Sequence, residues 1–134
     1  MKVHAWSHVS CREVAEAIRV EGAFYRVSDP AFEMTIPRWE GHEPDRAEEA
    51  DATIVLPDSA RHYATFMTLR SVAAVMERRQ RSGECLSGQY FWCSDLIIIG
   101  QPGIPGVVEA VRDLIAKGDL AGACGLLDPD SRTE

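Results

Sequence analysis

Residues 90–117 read YFWCSDLIIIGQPGIPGVVEAVRDLIAK, and they combine the two hydrophobic periods from which a fold class follows. Leu96 to Ile99 is an apolar, β-branched run, and with Tyr90, Phe91 and Trp92 ahead of it the segment suits a strand buried on both faces. Alternation places Phe91, Cys93, Asp95, Ile97 and Ile99 on one face, and Tyr90, Trp92, Ser94, Leu96 and Ile98 on the other. Asp95 is thereby set among apolar neighbours, a costly place for a carboxylate without a bulge near Ser94 or a partner such as Arg26 or Arg70. Gly100 ends the strand. Ile104, Val107, Val108, Val111, Leu114 and Ile115 then recur at helical spacing, with Gly118 as the stop. The turn from Gly100 to Gly106 joins a strand to a helix N-terminus, as phosphate cradles do. Pro102 and Pro105 remove two donors, however, and no Lys, Ser or Thr lies in it, so it reads as a rigid turn with Pro105 starting the helix.

Working outward, 134 residues suit one domain, taken as 1–127 with a polar tail at 128–134. Hydrophobic residues make up 46% and charged residues 26%, a globular balance. No apolar run is long enough to span a bilayer, and the first residues lack the apolar core of a signal peptide, so no membrane partner is expected. Cys11, Cys85, Cys93 and Cys124 form no C-x-x-C pair, which fits reduced thiols in a cytoplasm. The net charge of −7 argues against nucleic acid, whose binding rests on phosphate neutralisation, and permits a basic protein partner.

Lys2 to Trp6 reads as a first strand. Ser10 and Glu13 form a capping box that opens a helix to about Val20, with Cys11, Val14, Ala15 and Ile18 on its face. Ala23 to Ser28 and Ala31 to Ile36 read as a hairpin around Asp29-Pro30. Residues 38–51 are an acidic excursion with Trp39 at its start. Ala52 to Leu56 is another strand, and Asp58 or Ser59 caps a helix expected to run to Arg81. That helix, 58–81, is apolar nearly all round, which points to burial on a second side, against another copy of the chain. A short helix follows Asp119. The resulting order resembles a ferredoxin-like or related α+β two-layer sandwich, with a mixed sheet of about four or five strands and three or four helices. A doubly wound parallel sheet is the runner-up.

The residues with chemistry to offer are few. In His4-x3-His8-x2-Cys11 the thiol falls in the first turn of the expected helix, where the dipole favours a thiolate. Cys11 and His8 are therefore candidates for nucleophilic catalysis, and His4, His8 and Cys11 for metal ligation, with His42 or His62 to complete a set. Asp95 is the third catalytic candidate, through a carboxyl held in an apolar cleft. None of these forms a complete signature, and no cofactor is expected. The stronger expectation is a non-catalytic binding protein that acts through a surface, of the inhibitor or immunity type, as a homodimer through helix 58–81. The competing expectation is a small thiol- or metal-dependent enzyme.

Overall fold

Two tight turns build the first half of the sheet. Strands β1 (Ile18–Glu21), β2 (Phe24–Asp29) and β3 (Phe32–Pro37) form an antiparallel meander. Glu21 pairs with Phe24, so Gly22 and Ala23 alone make the first turn, and Gly22 takes the φ of +60° that such a turn requires. Asp29 pairs with Phe32 across Pro30 and Ala31, and its carboxylate accepts the Ala31 N–H at 3.0 Å. The computed structural model describes residues 18–38, 41 and 43–127. Residues 18–20, expected to end a helix, belong to β1: Ile18 and Val20 alternate with Arg19 and Glu21, and the two-residue turn commits them to pairing. The rest of that helix, the strand expected at 2–6, Trp39 and the tail at 128–134 lie outside the described residues.

The larger correction concerns residues 58–81. Asp58 caps no helix; its carboxylate accepts the Ala60 N–H at 2.9 Å within a turn, where Ser59 takes φ +74°. This turn joins β4 (Glu49–Val55) to β5 (Arg61–Met67), which pair antiparallel from Glu49–Met67 to Val55–Arg61. β4 thus begins inside the stretch read as acidic. Apolar residues at nearly every position satisfy a two-residue period as well as a helical one, and here the pairing with β4 decides. Helix α1 (Leu69–Ser82) starts only at Thr68, whose hydroxyl oxygen accepts the Ser71 N–H at 3.1 Å while donating to Glu48 at 2.7 Å. Of the apolar residues of that stretch expected to meet a second copy, Phe66, Met67 and Val75 are buried within the chain, and Tyr63 and Val72 are half-buried. The apolar patch that suggested pairing through helix 58–81 is therefore not presented. Thr68→Ala is expected to cost about 1–2 kcal/mol, readable by urea denaturation; an unchanged midpoint would remove the cap from the account.

After α1, the short segment α2 (Glu84–Gly88) runs left-handed, with Cys85, Leu86 and Ser87 at φ of 52°, 53° and 55°. Tyr90 to Ser94 are coil, not the buried strand expected; Trp92 is 71% exposed. The strand β6 is only Leu96–Ile98, parallel to β5. Asp95 ends the preceding turn at φ +56°, and its carbonyl accepts the Thr65 N–H. Helix α3 (Ile104–Ala116) follows as its periodicity demands, with Ile104, Val107, Val108 and Val111 buried. Each contributes roughly 1.5–3 kcal/mol of transfer free energy, enough to hold the helix on the sheet. The short α4 (Leu120–Ala123) leads to β7 (Gly125–Leu127), which returns antiparallel to β5.

Among the described residues the sheet thus has seven strands, ordered β1-β2-β3-β4-β5-β6, with β7 also on β5. The free side of β5 is divided: β6 takes Thr65 to Met67, and β7 takes Arg61 to Tyr63. The α+β class is as expected. A ferredoxin-like order is not formed, because successive strands from β1 to β5 pair with one another, β3 and β4 across the stretch 38–48, and among the described residues β5–α1–β6 makes the one parallel crossover. Tyr25, Val27, Phe32, Met34, Ile36, Ala52, Ile54 and Phe66 on one sheet face pack with α3. The opposite face is polar, with Arg26 bridging Glu21 and Glu33 across strands.

Candidate binding cleft

Among the described residues, the core face of the sheet is incompletely covered at the β1 edge. Tyr25 on β2 is buried, but its cross-strand neighbour Val20 is 57% exposed and Ile18 is half-buried. Here a cleft of about 580 Å³ lies between β1–β2 and the first turns of α3. Its walls are Ile18, Val20 and Tyr25 on the sheet side, and Pro105, Gly106 and Glu109 on the helix. Pro44, Asp45, Gln101 and Pro102 close it from two loops.

Those loops are fastened to each other by backbone. Gly103 N–H donates to the Ala47 carbonyl and Ile104 N–H to the Pro44 carbonyl, both at 2.6 Å. The fit is close: a Cβ on Gly103, which sits at φ +100°, would lie 2.6 Å from the Asp45 carbonyl oxygen. A Cβ on Gly106 would lie 2.7 Å from that of Gln101. Three prolines with fixed φ complete a stiff rim. The same bonds settle what the helix N-terminus can do. Gly103 and Ile104 donate to loop carbonyls, Pro105 has no N–H, and Gly106 and Val107 both donate to Gly103. No donor is left over for an anion, in line with the rigid-turn reading of Gly100 to Gly106.

The electrostatics of the cleft are acidic. Asp45 and Glu109 are exposed, and among the described residues neither side chain has an ion pair or hydrogen bond. Tyr25 carries the Arg38 guanidinium 5.6 Å from its ring centroid. The cleft therefore combines apolar side chains, loops fastened by backbone bonds and two carboxylates that have no ion partner among the described residues.

A second groove, of about 420 Å³, lies at the C-terminal ends of the parallel β5 and β6, lined by Glu48, Thr68, Leu69, Arg70, Ile98 and Pro102 among others. Its polar groups are engaged with one another. Glu48 accepts from Thr68 and lies 3.9 Å from Arg70, while Ser71 donates to Glu49. The chain's own carboxylates thus occupy the start of α1.

The candidates from sequence fall elsewhere. His4, His8, Cys11 and His42 lie outside the described residues. His62 is buried in β5, opposite Ile54 and Leu126, and its Nδ1 has no hydrogen-bond partner among the described residues. Asp95 is half-buried and lines neither cleft. Its carboxylate accepts from the Ser94 hydroxyl at 3.1 Å and lies over Gly125, where a Cβ would come within 2.5 Å of Oδ2. The arginines proposed as its partners are used by others, Arg26 by Glu21 and Glu33, Arg70 by Glu48. Burial pushes the neighbouring Cys124 thiol up, and the charge of Asp95 adds to that, so this thiol is a poor nucleophile.

On the polar sheet face, Asp51 accepts from Tyr63 at 3.1 Å and from Thr65 at 2.8 Å. The hydrogen bond with Thr65 lowers the Tyr63 phenol, but burial and the Asp51 charge outweigh it and leave the group above its ordinary value. Among the described residues no group of three His, Cys, Asp or Glu side chains is placed to hold a metal, and no helix is long and apolar enough to cross a membrane.

Sequence reading missed Tyr25, Asp45, Gln101 and Glu109 as a set. The prolines flanking them signalled rigidity, but nothing local joins residues 18–25 to 101–109. Comparison with protein-family models, curated proteins and solved structures gives no match for this chain.

Proposed function

We propose that this chain is a small binding protein that acts through a surface, and that the surface is the cleft between β1–β2 and α3. The observation that supports this reading is the pairing of an uncovered apolar strip, Ile18 and Val20, with loops locked in place by Gly103 and the prolines. A rigid site lowers the ordering cost of association, which suits recognition of a partner protein better than a mobile one would. An inhibitor or immunity-type protein that occupies a basic partner is the concrete form we favour, in agreement with the net charge of −7. A photo-crosslinking residue at Val20 is expected to give one discrete protein adduct in cells, and the same residue at Thr53, on the polar face of the sheet, none. Equal labelling from both positions, or none from Val20, would remove the cleft as the working surface.

We place this protein in a reducing cytoplasm. Cys85, Cys93 and Cys124 are free thiols, and alkylation under denaturing, non-reducing conditions should label all four cysteines of the chain. Loss of two or more labels would overturn that placement. The competing reading, a thiol- or metal-dependent enzyme, calls on His4, His8 and Cys11 or on a cleft holding Asp95, and Asp95 lines neither cleft described above. That reading requires Cys11 to alkylate faster than Cys85 near neutral pH or to be shielded by metal; equal rates with no bound metal exclude it.

A further inference from the structure

Resting on the reading that the cleft is a binding site, we infer that its occupant is a positively charged, amphipathic helix of a partner protein, laid beside α3 on the uncovered face of β1 and β2. α3 covers the core face over Val27, Met34, Ile36 and Phe66, all buried, while Val20 at the β1 edge stays 57% exposed. A sheet face of this kind is normally covered by helices packed side by side, about 8–10 Å apart. One such place, next to α3, is vacant among the described residues. Ile18 and Val20 project two residues apart on one strand, about 6–7 Å, and this spacing matches successive i, i+4 side chains on a helix, about 6 Å apart. The other wall is the first turns of α3, with Pro105, Gly106 and Glu109 lining the cleft.

Charge selects among helices. Asp45 and Glu109 line the same cleft as the apolar strip, and neither has an ion partner among the described residues. A helix with Lys or Arg beside its apolar stripe would pair with these carboxylates, whereas an acidic helix would meet repulsion from them. The N–H groups at the start of α3 are already bonded to backbone carbonyls, so the helix N-terminus offers no free donor to an anion, and the cation near the cleft wall, Arg38, lies over the Tyr25 ring and donates to the Gly22 carbonyl. The chain's net charge of −7 acts in the same direction, steering a cationic segment in at long range.

The test uses the full chain and three synthetic helix-forming peptides of about 18 residues, long enough to span roughly 27 Å. One carries a Leu stripe flanked by Lys, one replaces each Lys by Glu, and one replaces each Lys by Gln. Titration calorimetry gives affinity, and amide shifts of Val20, Gln101 and Gly106 report the place of binding. The Lys peptide is expected to bind at those amides at least about tenfold more tightly than the Gln peptide, with the Glu peptide weaker still. The double variant Asp45→Lys, Glu109→Lys should reverse the order of the Lys and Glu peptides. Lys and Gln peptides that bind equally at those amides would overturn the charge inference and leave the cleft as a binding surface. No shift at those amides with any peptide would overturn the cleft reading itself. A crosslinker at Val20 that couples within the free chain to residues 1–17 would show that the chain supplies its own occupant, and would overturn the partner helix.

Discussion

Arg112→Ala is expected to lower the stability by about 3–5 kcal/mol, the cost of leaving a buried carboxylate unpaired. Asp29 lies in the β2–β3 turn with its side chain only 5% exposed, and Arg112 on α3 is 13% exposed. The Arg112 Nε–H donates to Asp29 Oδ1 at 2.8 Å, and the Nη2 group donates to the same oxygen. Oδ2 meanwhile accepts the Ala31 N–H, so the carboxylate serves the turn and the helix at once. Truncating the arginine strands the charge beneath α3, while replacing both partners by apolar residues of similar size removes the desolvation cost with the attraction. Urea denaturation should therefore show Arg112→Ala far less stable than the double variant Asp29→Leu, Arg112→Met. A loss under about 1 kcal/mol for Arg112→Ala would mean that water reaches the pair and that it contributes as little as a surface bridge.

Gly103→Ala is the second large effect, about 3 kcal/mol, and it should also abolish binding in the cleft. Its φ of +100° is strained for any side chain, and the added Cβ would meet the Asp45 carbonyl oxygen at 2.6 Å and carbon at 2.9 Å. Both obstacles are backbone, so no rotamer change relieves them; the loop at 44–47 must lift away and the bonds from Gly103 to Ala47 and from Ile104 to Pro44 go with it. Gly100→Ala is the matched control, since a Cβ there meets nothing within 4 Å and its φ is unexceptional. It should fall within about 0.5 kcal/mol of the parent. Equal melting temperatures for Gly103→Ala and Gly100→Ala would show that the loop is not fastened to α3 and that the cleft is not rigid.

What a segment could determine alone, it did. Ile104, Val107, Val108 and Val111 form a helical stripe that no other period fits, and α3 buries those four residues. Phe32, Met34 and Ile36 alternate strictly with Glu33 and Thr35, and β3 places the first three in the core. Asp29-Pro30 between two such runs was enough for the hairpin. Residues 61–67 had no such uniqueness: with apolar or small residues at most positions, strand and helix bury nearly the same side chains, and only β4, β6 and β7 on either side of β5 select the strand. Tyr90 to Ser94 failed for the converse reason: residues suited to a strand find the place they would take on β5, opposite Arg61 to Tyr63, filled by β7. The cleft belongs wholly to tertiary structure. Its acid groups, Asp45 and Glu109, stand far apart in the chain and carry no local signature. They meet because the Gly103 and Ile104 N–H groups must find acceptors, and the carbonyls of Ala47 and Pro44 are the ones within reach.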